Sequence, residues 1–153
     1  MTRSLTALLN PKSIAFIGGT ECDVAIRRTR ELGFPGKIWA VHPKRESLGG
    51  IACVRSVAEI EGALDAAFVA IKREPTIEVV RELRKKGCGG AVIYASGFAE
   101  TGDAHLQKEL LEAADGVGCV GRAVEGHARA VPATEPVEGG EVGHALPHGE
   151  GLL

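Results

Sequence analysis

Four short apolar runs recur along this chain with charged, periodic stretches between them, and that alternation restricts the fold more than any other feature. The runs are SIAFIG (13–18), KIWAVHP (37–43), DAAFVAI (65–71) and GAVIYAS (90–96). Each is nearly continuous in apolar residues, as expected of strands buried on both faces of a sheet. After the first run, Cys22, Ala25, Ile26, Thr29 and Leu32 recur at helical spacing with Arg27, Arg28 and Arg30 between them. That pattern predicts an amphipathic helix over 22–32, ended by Gly33. Ser56, followed three residues later by Glu59, predicts a capping box that opens a short helix. Pro75 at a first helical position, Glu74 and Glu78 near the positive end, and Arg84, Lys85 and Lys86 before Gly87 predict a better-specified one. Leu106, Leu110 and Ala113 or Ala114 define the inward side of a further helix over 104–114.

Alternating strands and helices with short links give an α/β chain with a Rossmann-like, doubly wound parallel sheet, because each right-handed crossover must cover one face. The 153 residues, 44% of them apolar, suffice for one domain. That domain is expected over 1–121. From about Gly116 the composition turns to glycine and proline, and no aromatic residue follows Phe98. A short fifth strand at 117–120 is the last periodic feature. Residues 122–153 bury too little apolar surface to offset their ordering entropy, and are expected to form a disordered tail or truncated remnant.

The formal charge of −2 gives no general attraction to nucleic acid or anionic membranes. No run approaches the roughly 18 apolar residues of a membrane span, and residues 1–11 lack the pattern of a signal peptide, so a cytoplasmic chain is expected. Cys22, Cys53, Cys88 and Cys119 lie far apart without a CxxC pair or a nearby histidine, which argues for reduced, packed thiols and no metal. Cys22 is the exception to consider, since a thiol at the start of a helix can be acidified.

In a sheet of this kind ligands bind beyond the carboxyl ends of the strands. That places the interest at 18–21, 42–45, 72–74 and 94–98. Gly18 and Gly19 remove side chains where the first strand turns, through Thr20 and Glu21, toward a helix whose first N–H groups have no internal partner. A phosphate site and a simple tight turn both fit. The second strand ends in His42-Pro43-Lys44-Arg45 where an NAD-binding domain would carry an acidic residue for the ribose. Lys44 and Arg45 instead favour an extra phosphate, as in NADP or the 3′-phosphate of coenzyme A, or else form a solvated basic loop. Lys72 and Arg73 add cations at the same edge. Tyr94 and Ser96 offer hydroxyls, and Gly97 allows close backbone approach.

In order and spacing, LLNPKSIAFIGG, GKIWAVHPKR, CVRSVAEI, DAAFVAIKREPTIEVVREL and GAVIYASGFAETG resemble the CoA-binding domain of NDP-forming acyl-CoA synthetases, the group of acetate-CoA ligases and succinyl-CoA synthetase α-subunits. The resemblance implies that Gly18, Gly19, Thr20 and Glu21 hold the phosphates of coenzyme A, and that Lys44 meets the phosphate of its nucleotide. It further implies that Ile71, Lys72 and Arg73 lie against the adenosine, and that Tyr94, Ala95, Ser96 and Gly97 touch the pantetheine side. Where the family closes this domain with Gly-Pro-Asn-Cys, this chain has Val120-Gly121-Arg122-Ala123. The phosphorylated histidine of these synthetases belongs to a following domain, and the nucleotide-grasp domain lies elsewhere. The resemblance therefore implies a CoA-binding module that needs further synthetase domains or a partner subunit, with no catalytic residue of its own. His127, His144 and His148, all in the glycine-rich segment, lack a packed scaffold to orient a nucleophile. Two alternatives remain: an NADP-binding oxidoreductase fragment and a stand-alone, non-catalytic CoA-binding protein.

Overall fold

The computed structural model describes residues 6–94, 104–115, 117–122 and 128–130. A single turn, α1 (Thr6–Leu9), precedes β1 (Ser13–Gly18), α2 (Thr20–Glu31) and β2 (Lys37–Val41). A small hairpin of β3 (Ser47–Leu48) and β4 (Ile51–Val54) leads through a 3-10 turn (Val57–Glu59) to β5 (Ala66–Ala70). Then come α3 (Arg73–Lys86), β6 (Gly90–Tyr94), α4 (Ala104–Ala113), β7 (Gly118–Arg122) and β8 (Ala128–Ala130).

The described strands form one sheet in the order β3-β4-β2-β1-β5-β6-β7-β8. Every pairing from β4 to β7 is parallel, and β3 and β8 add an antiparallel strand at either edge. The chain runs outward from β1 in one direction through β2 and β4, then crosses back to β5 and continues in the other. Strand β1 is therefore the switch point of a Rossmann-like sheet, as the alternating pattern predicts.

Successive side chains of each central strand serve two separate cores. Ala15, Ile17, Val41, Ala67, Val69, Ala91 and Ile93 face Val57, Ile60, Ile77, Val80, Leu83 and Leu110 from the 3-10 turn, α3 and α4. Phe16, Ala40 and Ala70 face Cys22 and Ile26 of α2 and Leu48 of β3, with Phe68 and Tyr94 packed alongside. Because both faces are covered over the central strands, their residues read as continuous apolar runs. Helix α3 ends as its sequence predicts: Gly87 is left-handed at φ 75°, its N–H reaches the Arg84 carbonyl at 3.0 Å, and the Cys88 N–H reaches Leu83 at 3.0 Å.

Several expectations need correction. Helix α2 begins at Thr20, two residues earlier than the apolar periodicity suggests, because Gly19 is its cap and the first turn is polar. Pro75 is the third residue of α3; Thr76 N–H makes the bond to Lys72 O at 3.2 Å, so the missing proline donor falls among N–H groups that a helix leaves unused. The Ser56–Glu59 capping box does not form. Ser56 makes no side-chain cap bond, and Glu59 Oε2 accepts from the Arg55 N–H at 2.8 Å, because the segment closes as one tight turn and then extends. The strand expected at 117–120 is β7, which ends at Arg122, and β8 lies within the segment expected to be a tail. The rest of 122–153 lies outside the described residues, as does the disorder expected there.

The inner side of α3 is packed against the sheet through Ile77, Val80 and Leu83. Leu83 is fully buried. Leu83→Ala is expected to cost about 2–5 kcal/mol in urea unfolding, and a loss below about 0.5 kcal/mol would mean that α3 does not pack as described.

Candidate functional site

A cleft of about 360 Å³ opens at the carboxyl ends of β1, β2 and β4, beside α3. Ile17, Gly18 and Gly19 come from β1 and its turn, Val41, His42 and Pro43 from the end of β2, and Arg55, Ser56 and Val57 from the end of β4. Ile71, Pro75, Val79 and Glu82 close the opposite wall. The walls are mostly apolar, and His42, Arg55, Ser56 and Glu82 supply polar groups.

At Gly18 the need for glycine is steric. Its φ is 149°, and a Cβ there would lie 2.2 Å from the Ala70 carbonyl oxygen of β5. Gly19 differs: the nearest atom to a Cβ would be an Arg45 guanidinium nitrogen at 3.9 Å, so this position is open toward the cleft. Gly19 caps α2 without a side-chain hydrogen bond, and the helix starts at the cleft's edge. The positive end of α2 therefore faces this space.

Beyond β2 the chain turns through Pro43, Lys44 and Arg45, and two side chains hold this turn. The N–H groups of Lys44 and Arg45 both donate to His42 Nδ1, at 3.0 and 2.9 Å. From the far side, one guanidinium nitrogen of Arg55 donates to the carbonyls of Pro43 and Arg45, at 3.3 and 3.1 Å. Arg45 in turn reaches Thr20 Oγ1 at 3.5 Å. Burial, then the positive charges of Arg45, Arg55 and Lys44, hold His42 below the usual imidazole range.

The residues singled out from the sequence fall into three groups. Gly18, Gly19 and Ile71 line the cleft, and Lys44 and Arg45 stand on the turn at its rim. Lys72 is the N-cap of α3 and Arg73 its first residue, where Arg73 pairs with Glu74 at 3.0 Å; neither lines the cleft. Thr20, Glu21 and Tyr94 lie on the α2 side of the sheet, where with Val24 and Phe68 they bound a second, shallower hollow. Tyr94 stacks on Phe68 with ring centroids 6.1 Å apart. Ala95, Ser96 and Gly97 lie outside the described residues.

Sequence reasoning missed Arg55, Ser56 and Val57, because it did not recognise β4. The apolar run Ile51–Val54 after Gly49-Gly50 was the available signal. It included His42 in the 42–45 segment of interest but gave its side chain no role. Cys22 is a packing residue: it is fully buried, and burial, then the Glu21 charge, push its thiol up to about 12. The packing role expected of these thiols therefore holds at Cys22, and the acidification considered beside it does not. Among the described residues, no group of three or more His, Cys, Asp or Glu side chains is arranged to hold a metal ion, and no helix is long and apolar enough to cross a membrane.

The model of the CoA binding domain family matches residues 12–124, which contain every element of the cleft. The chain belongs to this family. It is 37% identical over 129 residues to a trans-feruloyl-CoA synthase from an unknown prokaryotic organism, covering 81% of this chain and 18% of that protein. It is also 37% identical over 107 residues to the ADP-forming acetate-CoA ligase of Methanocaldococcus jannaschii, covering 68% of this chain and 15% of the ligase. Among solved structures, the dinucleotide-forming acetyl-coenzyme A synthetase 1 of Ca. Korarchaeum cryptofilum, in complex with phosphate and ADP, superposes with a TM-score of 0.73 at 27% identity, over 82% of this chain and 28% of that one. This CoA-binding domain therefore spans less than a third of the length of these relatives.

Two predictions follow from the site's construction. Gly18→Ala should destabilise the chain by about 1–3 kcal/mol in thermal unfolding, and Gly19→Ala by less, about 0.5–1 kcal/mol for the poorer helix cap alone; equal effects would refute the close approach to Ala70. At pH 8, Cys22 and Cys88, whose thiol is raised to about 11 by burial, should resist alkylation in the folded chain and react once it is unfolded in urea. Rapid labelling of Cys22 in the folded chain, read by peptide mass, would place it outside the core.

Proposed function

We propose that this chain binds coenzyme A in the cleft at the ends of β1, β2 and β4, as the CoA-binding module of an NDP-forming acyl-CoA synthetase. The observation that carries the reading is the family match across 12–124, over a cleft with apolar walls and a cationic rim. In this reading the adenine lies among Val57, Ile71, Pro75 and Val79, where an aromatic ring displaces water from apolar side chains. The phosphates lie at the Gly18-Gly19 turn and the start of α2, where a missing side chain admits them and the helix end favours their charge. Lys44 and Arg45 meet the 3′-phosphate, with Lys72 and Arg73 adding positive charge farther along the edge. The pantetheine arm passes toward Tyr94 and the segment Ala95, Ser96 and Gly97, with Thr20 and Glu21 on its way.

The module supplies the thiol, and the rest of the synthetase supplies the chemistry. An acid, CoA and a nucleoside triphosphate would give acyl-CoA, the nucleoside diphosphate and phosphate, through groups carried on other domains or a partner subunit. The length of the relatives beyond the shared segment supports such partners. The ligase relatives also favour this reading over an NADP-dependent oxidoreductase.

Calorimetric titration with CoA, dephospho-CoA, NADP and NAD tests the ligand. CoA is expected to bind most tightly, with dephospho-CoA weaker for want of the 3′-phosphate; binding of NADP without CoA would refute the proposal. Lys44→Ala should weaken CoA about 5- to 10-fold, the worth of one charge-assisted hydrogen bond at a wet site, and dephospho-CoA less than about 2-fold. Equal weakening of both ligands would remove Lys44 from the 3′-phosphate.

A further inference from the structure

Among the described residues, His42 is the one histidine in the cleft wall, and its ring also bonds the turn that follows it. Two backbone donors, the N–H groups of Lys44 and Arg45, converge on a single ring nitrogen, Nδ1, at 3.0 and 2.9 Å. A nitrogen that accepts in this way carries no proton, so the neutral ring has its hydrogen on Nε2. The arrangement reproduces what an Asn or Asp side chain does in an Asx turn, where a side-chain acceptor takes the N–H two residues on. Arg55 completes it by donating to the carbonyls of Pro43 and Arg45. The backbone of the turn is thus held from both sides, and Lys44 and Arg45 project from a fixed frame.

We propose that His42 is a positioning residue for coenzyme A: its neutral Nδ1 holds the Pro43–Arg45 turn in the shape that presents Lys44 and Arg45 to the ligand's phosphate, and protonation of that nitrogen releases the turn and weakens binding. The proposal rests on the CoA reading for its ligand, and on the two hydrogen bonds for its mechanism. The charged groups around the ring are Lys44 and Arg45 on its own turn, Arg55 after β4, Glu59 bonded to the Arg55 N–H, and Glu82 on α3 across the cleft. Burial, then the charges of Arg45, Arg55 and Lys44, lower the imidazole and so favour the neutral form that the two hydrogen bonds require. The sign follows: the turn is intact above about pH 6.5, and it loosens as the pH falls through the lowered value.

The test compares the full chain with His42→Asn and His42→Ala by calorimetric titration with CoA between pH 7.5 and pH 5. Asparagine keeps an acceptor for the turn and does not titrate. At pH 7.5 His42→Asn should bind CoA within about 3-fold of the wild type, and His42→Ala about 10-fold more weakly, as expected for two lost hydrogen bonds. On acidification the wild type should lose affinity relative to His42→Asn; the ligand's own phosphate titrates in both and cancels in the ratio. Equal weakening by Asn and Ala, or parallel pH profiles for wild type and His42→Asn, would overturn the proposal. Should CoA fail to bind the wild type at all, the functional reading fails, and nitrogen-15 spectra of the ligand-free chain test the mechanism separately. In those spectra the Lys44 and Arg45 amide signals should move with the His42 titration, and fixed signals would refute its hold on the turn.

Discussion

The backbone of Gly18 runs so close to the Ala70 carbonyl that no side chain fits between them, and the layout of the molecule depends on that contact. It brings the carboxyl ends of β1 and β5 together at the point where the chain's path divides. From there α2 leaves on one face and the 3-10 turn and α3 lie on the other, so their starting turns flank one opening. The opening is therefore a property of the topology, present before any ligand chemistry is considered. Replacing Gly18 would strain the frame, whereas Gly19, with open space above it, only lines it.

Charge sets this opening apart from a generic one. The chain as a whole is nearly neutral, yet Lys44, Arg45 and Arg55 gather at the cleft's rim within two short segments. Like charges so close would drift apart in water if their backbones were free. Here the turn's N–H and C=O groups are taken up by His42 and Arg55, so the repulsion among the cations is held in a fixed geometry, ready to be relieved by a phosphate. Glu59, bonded to the Arg55 N–H, steadies the same corner. Apolar walls beside this cationic rim suit a ligand with a flat ring at one end and phosphates close by.

The fold was legible because its central strands are buried on both faces, which writes their extent into the sequence as unbroken apolar runs. Helix α3 was legible for another reason: its charges match its dipole, and Gly87 closes it. The hairpin of β3 and β4 was not, since strands of two and four residues at a sheet edge leave too short a pattern to separate from a loop. Missing β4 hid the third strand end at the cleft, and with it Arg55. Glycine and cation placement singled out Gly18, Gly19, Lys44 and Arg45, and the family resemblance Ile71; these residues lie in the cleft wall or on the turn at its rim. Tyr94, Thr20 and Glu21 were grouped with them by their position at strand ends, but Tyr94 packs on the α2 face of the sheet and Thr20 and Glu21 open α2 itself, so all three border the second hollow. His42 accepts at its ring from the N–H groups two and three residues on, an arrangement with no periodic signature.

Amide chemical-shift mapping of the nitrogen-15-labelled chain during titration with coenzyme A addresses the central claim most directly. The account predicts saturable shifts concentrated at Gly18 and Gly19, at Val41 to Arg45, at Arg55 to Val57 and at Ile71, with the far ends of the same strands unmoved. Shifts confined to other surfaces, or none with millimolar ligand, would contradict it.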